Sequence, residues 1–172
     1  MKKIILIILL ALSIYLYSIS SQKEEIIVPA SAIRFRILAN SNTVYDQNVK
    51  KRVKERLEKE LFHILSTAKT SEESEILIKS NLNNIENLVK EELANEKYSY
   101  SVNYGLNYFP QKEYKGVTYK EGEYKSLLVT LGKGEGDNFW CVLFPPLCMM
   151  QTEETSEIEY KFLIKETLEK YF

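Results

Sequence analysis

The chain has 172 residues, of which 45% are hydrophobic and 27% charged, and its 23 basic residues nearly balance 24 acidic ones. This length suits one domain with its own core, and the composition excludes a disordered protein. The near-neutral charge argues against nucleic-acid binding, and one His with two Cys offers little material for a metal site. We therefore expect no nucleic-acid partner, no cofactor and no metal.

The N-terminus is strongly apolar. Lys2 and Lys3 precede a run of apolar residues at positions 4–17. A short basic start before such a run is typical of an export signal, and the run is shorter than the ~20 residues that comfortably span a bilayer. Ser18 and Ser20 supply a small-x-small cleavage pattern. Residues 1–20 are predicted to be a signal peptide or an N-terminal membrane anchor, and both alternatives export the rest of the chain.

Residues 21–32 are predicted to be a tether, and residues 33–172 a single exported domain. The domain opens with Ile-Arg-Phe-Arg-Ile at residues 33–37. This strict alternation predicts a half-buried strand, with Arg34 and Arg36 on its outer face.

Two helices should follow this strand. Apolar residues at spacings of three or four predict a helix from about Val44 to Leu65. Thr70 and the acidic residues after it indicate the start of a second helix, whose apolar stripe extends to Leu93. A last helix is predicted at about residues 157–170.

The two predicted N-terminal helices differ in charge. Residues 33–60 contain eight basic and four acidic residues, whereas residues 71–96 contain two basic and seven acidic ones. Two interpretations stay open. Either the helices present complementary solvated faces to each other, or the basic surface meets anionic lipid headgroups or an acidic partner.

Strands dominate the second half of the chain. Apolar residues, mostly Tyr, occupy every even position of residues 98–108, which predicts a strand whose Tyr stripe is either core or a partner-binding face. Residues 111–123 are predicted to be a loop or short edge strand. Strands at 124–131 and 139–144 should form a hairpin through the Gly-rich segment 132–137. The expected fold is α+β, an antiparallel sheet of about four strands with two N-terminal helices and a C-terminal helix.

The two cysteines, Cys141 and Cys148, flank a double proline at Pro145 and Pro146. In an oxidising compartment a disulfide closing this short loop is one interpretation. The other is two small buried thiols, since free Cys packs well in cores. The carboxylates form no convincing acid–base pair, so the sequence does not indicate an enzyme.

Several motifs resemble the stage II sporulation protein R family. They are Ile-Arg-Phe-Arg-Ile-Leu-Ala-Asn-Ser at 33–41 and Phe-Trp-Cys-Val-Leu-Phe-Pro-Pro-Leu-Cys at 139–148. Residues 104–110, 122–127 and 132–140 are also similar, although some members have a second Trp where this chain has Phe139. Together these motifs extend over about residues 31–150.

The resemblance implies an intercompartmental signal of endospore formation that is not itself an enzyme. Such proteins are made in the forespore and exported into the space between its two membranes. There they are thought to activate a membrane-embedded aspartic protease of the mother-cell membrane, which processes pro-sigma-E. We expect that protease as the partner, membrane contact through the N-terminal segment, and no small-molecule substrate.

The mechanism expected from the resemblance is binding that favours an active arrangement of the protease. The candidate contact residues are Arg34, Arg36, Asn40, Tyr108, Phe109, Trp140, Phe144, Pro145 and Pro146. The alternative interpretation is that the same motifs mainly build the core, with Trp140 and Phe144 inside it. Two other functions stay open, a secreted or anchored hydrolase with an unrecognised acid pair and a structural envelope protein.

Overall fold

A computed structural model describes residues 12–13, 26–150 and 156–172. The predicted signal peptide or anchor lies outside the described residues except for positions 12–13, and so does the first part of the predicted tether. Within the described ranges, no helix is long and apolar enough to cross a membrane.

The described residues form an α+β fold, as predicted. The helices are α1 (Val44–Leu65), α2 (Ser71–Ser80), α3 (Leu82–Glu92) and α4 (Glu157–Tyr171), with a 3-10 turn at Leu147–Met150. The strands are β1 (Ile26–Ile27), β2 (Ile33–Leu38), β3 (Tyr100–Phe109), β4 (Lys112–Tyr114), β5 (Val117–Tyr119), β6 (Gly122–Leu131) and β7 (Asn138–Phe144).

The main sheet has four strands in the order β3-β6-β2-β7. It is mixed, because β2 runs parallel to β6 and antiparallel to β7, so the predicted purely antiparallel sheet is wrong. The predicted hairpin between β6 and β7 is also wrong, because β2 lies between them. The Gly-rich segment 132–137 therefore passes over the end of β2. Its passage is tight, since a Cβ on Gly136 would lie 2.2 Å from the Ser41 carbonyl oxygen.

Helices α1–α3 cover one face of this sheet. Thr43 and Thr70 cap α1 and α2 by accepting hydrogen bonds from the N–H groups of Asp46 and Glu73. The predicted second helix is divided at Asn81, whose side-chain amide donates to the Leu77 carbonyl at 2.9 Å. The apolar stripes of all three helices belong to one buried core together with the odd-numbered residues of β2.

A second, smaller layer covers part of the other face. Strands β1, β5 and β4 form a three-stranded sheet in that order, and α4 packs beside it. Residues 111–123, predicted to be a loop or short edge strand, supply β4 and β5. The second half of the predicted tether also belongs here, since Val28 and Ala32 are buried and Ile26–Ile27 pairs with β5. Ser156 begins α4 with a capping box to Glu159.

Candidate partner-binding face

Strand β2 sends alternate side chains to the two faces of the main sheet. Ile33, Phe35 and Ile37 are fully buried beneath the helices. Arg34 and Arg36 lie on the opposite face, as the alternation predicts, but Arg34 is only 1% exposed. The predicted face is right, but the prediction that this face is open to solvent at Arg34 is wrong. The three-stranded sheet covers it, and the sequence pattern of that sheet was too short to indicate this.

The buried Arg34 guanidinium packs on aromatic rings. Its carbon lies 3.3 Å from the centroid of Tyr124 and 5.2 Å from that of Phe109. Its Nη2 donates to the Lys120 carbonyl at 3.2 Å, whereas Nε and Nη1 have no hydrogen-bond partner among the described residues. Burial lowers the pKa of Arg34, but a guanidinium stays charged in proteins. The site thus holds a positive charge with unused donors.

Arg36 joins the same cluster from the next position along this face. Its guanidinium carbon lies 5.8 Å from the Phe109 ring and 5.9 Å from the Trp140 ring, which contact each other edge to face at 5.2 Å. Arg36 Nη1 donates to the Tyr108 carbonyl at 3.5 Å. The buried Arg36 Nε and Trp140 Nε1 lack partners among the described residues. Four of the nine candidate residues, including Arg34, therefore form one arginine–aromatic cluster.

Tyr108 lies at the edge of this cluster but points the other way. Its side chain is 57% exposed and that of Leu106 is 67% exposed, whereas Phe109 is fully buried. The Tyr108 hydroxyl donates to Glu121 at 3.2 Å, and the charge of that carboxylate raises the pKa of Tyr108. The Tyr stripe of β3 divides likewise, because Tyr98, Tyr100 and Tyr104 pack partly against the main core.

Asn40 lies away from the cluster and holds a turn together. Its Nδ2 donates to Asp46 at 2.8 Å, and its Oδ1 accepts from the Lys133 N–H at 3.0 Å. With Ser41, Asn40 lowers the pKa of Asp46 by hydrogen bonding to the carboxylate. Asn40 thus positions the Gly-rich segment over the end of β2, which is a structural role.

The C-terminal part of the 139–148 motif builds a different region. Phe144 is buried in the main core and contacts Tyr171 edge to face at 5.1 Å. A cis peptide bond joins Phe144 to Pro145, and Pro146 lines an apolar cavity of about 630 Å³ with Phe62, Leu65 and Tyr171 among others. The predicted disulfide between Cys141 and Cys148 is confirmed, with 5.3 Å between the Cα atoms. The motif therefore does not form one contact loop, since its two ends line different cavities.

A second cavity, of about 350 Å³, opens next to the arginine–aromatic cluster. We call it the basic cavity. Among the described residues, five cations line it together with aromatic side chains and part of β7, and no carboxylate does. The cations are Arg34, Lys50, Lys51, Lys54 and Lys112.

Sequence reasoning placed none of these four lysines in a site. The available signal was the basic excess of residues 33–60, for which two interpretations stayed open. The structure supports complementary helix faces, and contact of the basic surface with lipid or an acidic partner stays a prediction. Arg52 pairs with Glu92 and Glu96 of the acidic helix region at 2.9 and 2.8 Å, whereas Lys50, Lys51 and Lys54 line the basic cavity. The position of Lys112 in the cavity lining depends on where β4 lies, and the three residues of that strand show no clear alternation of apolar and polar side chains.

Residues 29–154 match the family described as "Stage II sporulation protein R (spore_II_R)". The chain belongs to this family. A relative named stage II sporulation protein R, from Bacillus subtilis (strain 168), is 38% identical over 155 residues, which cover 87% of this chain and 69% of the relative. No solved structure matches.

The family match covers both the arginine–aromatic cluster and the basic cavity, since their residues lie between positions 34 and 142. It ends within the segment that connects the 3-10 turn to α4. The surfaces described above therefore belong to the family domain.

Proposed function

We propose that this protein is the exported signal by which the forespore activates the membrane-embedded aspartic protease that processes pro-sigma-E in the mother cell. The domain from residue 33 onward acts in the space between the two membranes, delivered or tethered there by residues 1–20. It acts by binding and not as an enzyme. Family membership supports the assignment to sporulation, and the basic start with its apolar run supports export.

The observation that carries the binding role is the arginine–aromatic cluster beside an open basic cavity. Arg and Trp are enriched among the residues that contribute most to protein–protein binding, above all where they are recessed and shielded from water. Arg34, Arg36 and Trp140 all retain buried donors without a partner in the described residues. Such groups cost free energy in the isolated protein, and a bound partner that accepts their hydrogen bonds relieves that cost.

Binding activates the protease if this protein has higher affinity for the active arrangement than for the inactive one. A tenfold activation requires about 1.4 kcal/mol of differential binding free energy. One desolvated Arg or Trp contact that forms only in the active arrangement is large enough to supply it.

The test is co-expression of this chain, the protease and pro-sigma-E in a cell that does not sporulate, with cleavage followed by immunoblot. We expect cleavage only when this chain is present and exported. A Trp140→Ala variant should lose activation while remaining folded by circular dichroism, and Trp140→Phe should retain part of it. Cleavage that is independent of this chain would overturn the proposal.

A further inference from the structure

We infer that the basic cavity is a binding site for an extended acidic peptide segment, which adds along the free edge of β7 with its carboxylates between two lysine-bearing walls. The inference rests on the proposed function only for the identity of the protein that carries this segment. The binding itself follows from the cavity.

The first argument is charge. Among the five cations that line the cavity, Lys54 forms an ion pair, with Glu58 at 3.1 Å, and none of the other four pairs with a carboxylate of the described residues. Lys50 instead donates to the Asp137 carbonyl at 2.8 Å. Burial lowers the pKa of Lys50; Asp137 opposes this, and the charge of Lys112 adds to it. Cations from α1 and β4 thus repel each other across the cavity, and an anion between them would be attracted by both.

The second argument is the buried guanidinium of Arg34 in the lining. Its Nε and Nη1 are inaccessible to solvent and have no partner in the described parts of the chain. Buried polar groups in folded proteins are almost always hydrogen-bonded. The guanidinium therefore adds a positive charge at the wall of the cavity that no carboxylate of the described residues pairs with, and this charge attracts an acidic group that enters the cavity.

The third argument is the free strand edge. Strand β7 ends the main sheet and pairs only with β2 among the described strands. Its N-terminal residues, Asn138, Phe139 and Trp140, are half-buried and line the cavity. An edge strand presents main-chain N–H and C=O groups that pair readily with another extended segment.

The aromatic residues of the lining define the width of the site. Lys112 Nζ lies 5.2 Å from the Trp140 ring, and Lys54 Nζ lies 4.9 Å from the Phe139 ring. Because side chains alternate along β7, Trp140 and Phe139 face opposite sides of the strand, and each carries one lysine. A peptide with acidic residues therefore meets a cation on both sides of the edge.

These features favour a peptide over an anionic bilayer. A flat membrane surface would reach Lys51 and Lys112, which are exposed, but not the recessed Arg34, which is 1% exposed. A membrane would also leave the free edge of β7 without hydrogen-bond partners. An extended chain can enter the cavity that Arg34 lines and pair with the free edge.

The experiment measures binding of a fluorescent peptide of alternating Glu and Val to the full chain in zwitterionic detergent. We expect saturable binding that weakens roughly tenfold in a Lys51→Glu, Lys112→Glu double variant, the size expected for two partly screened charge pairs. Lys59→Glu is the matched control, because Lys59 is exposed on the same helix but lines the other cavity. Lys59→Glu reverses one charge, whereas the double variant reverses two. The control should change the affinity less than twofold.

Peptides N-methylated at alternate positions test strand pairing. Methylation of one alternate set should abolish binding, and methylation of the other should retain it, because only one set of N–H groups faces β7. Three outcomes overturn the inference: no binding of the acidic peptide, equal losses in the double variant and in Lys59→Glu, or double-variant-sensitive binding to phosphatidylglycerol vesicles without peptide binding.

The two proposals fail separately. If the peptide binds as expected but co-expression yields no pro-sigma-E cleavage, the proposed function fails and the site stands. If cleavage occurs and is unchanged in the double variant, while the peptide does not bind, the inference fails and the proposed function stands.

Discussion

Alternate residues of β2 enter two layers that are built differently. On the helical side, Ile33, Phe35 and Ile37 are fully buried in a continuous apolar core. On the other side, Arg34 and Arg36 pack among Tyr124, Phe109 and Trp140 and retain donors that have no partner in the described part of the chain. The helical side obtains its stability from the hydrophobic effect. The arginine side retains polar groups that cost stability, which is typical of a surface kept for binding.

The largest expected effect on stability is on the apolar side. Phe35→Ala should lower the free energy of unfolding by about 3–5 kcal/mol, because the side chain is fully buried and contacts Phe139 edge to face. Urea unfolding followed by circular dichroism measures this. Phe162→Ala, on the exposed side of α4, should stay within ~0.5 kcal/mol. Equal effects would contradict the location of the core.

The disulfide should contribute less. Cys141→Ala with Cys148→Ala should cost about 2–3 kcal/mol, the loop-entropy value for a ring closed across seven positions. Reducing agent should destabilise the natural protein by a similar amount and leave the double variant unchanged. If mass spectrometry shows full reduction and the free energy of unfolding of the natural protein is unchanged, the bridge contributes no stability.

Arg34→Met is the sharpest test of the difference between the two layers. It should change the free energy of unfolding by roughly 1 kcal/mol or less, because replacing a buried charge by an apolar side chain of similar volume is often neutral. The Lys120 carbonyl loses the hydrogen bond from Arg34 in this variant, but it still accepts one from the Tyr124 hydroxyl at 3.0 Å. Activation in the co-expression assay should nevertheless be lost. A destabilisation as large as that of Phe35→Ala would make Arg34 a core residue and not a binding one.

The smallest effect at neutral pH is expected for Tyr98→Phe, because the buried hydroxyl of Tyr98 has no hydrogen-bond partner in the described residues. Burial raises the pKa of Tyr98 to about 12. The folded state therefore holds the phenol proton more tightly than the unfolded state, so stability should fall as pH rises from about 10 to 12.

The phenylalanine variant removes that titration. Its free energy of unfolding should fall less than that of the natural protein between neutral pH and about pH 11, measured by urea unfolding. Burial also raises the pKa of Tyr104, so part of the fall in stability with pH should remain in the variant. Parallel losses in the two proteins would contradict the burial of the Tyr98 hydroxyl.

The sequence predicts those helices and strands whose apolar residues recur at a regular spacing. Helix α1 has the predicted bounds, and the alternation of 98–108 corresponds to β3 with a shift of one or two residues. Topology was not accessible in this way. Periodicity shows that a segment is a strand but not which strand lies beside it, so the insertion of β2 between β6 and β7 was missed.

Only part of the candidate site could be predicted, for a related reason. Arg34, Arg36, Phe109 and Trp140 were named and do meet, whereas Asn40 serves a turn and Phe144 the core. Strands β4 and β5, of three residues each, are too short for a visible period. Without their position, neither the burial of Arg34 nor the place of Lys112 opposite α1 could be inferred.

Photo-cross-linking tests most directly the claim that the arginine side of β2 and its basic cavity contact the protease. A photoreactive amino acid replaces Lys112, at the cavity, or Lys90, an exposed position on α3, in cells that also contain the protease. We predict a cross-link to the protease from position 112 and none from position 90. A cross-link from position 90 with none from position 112 would contradict the account.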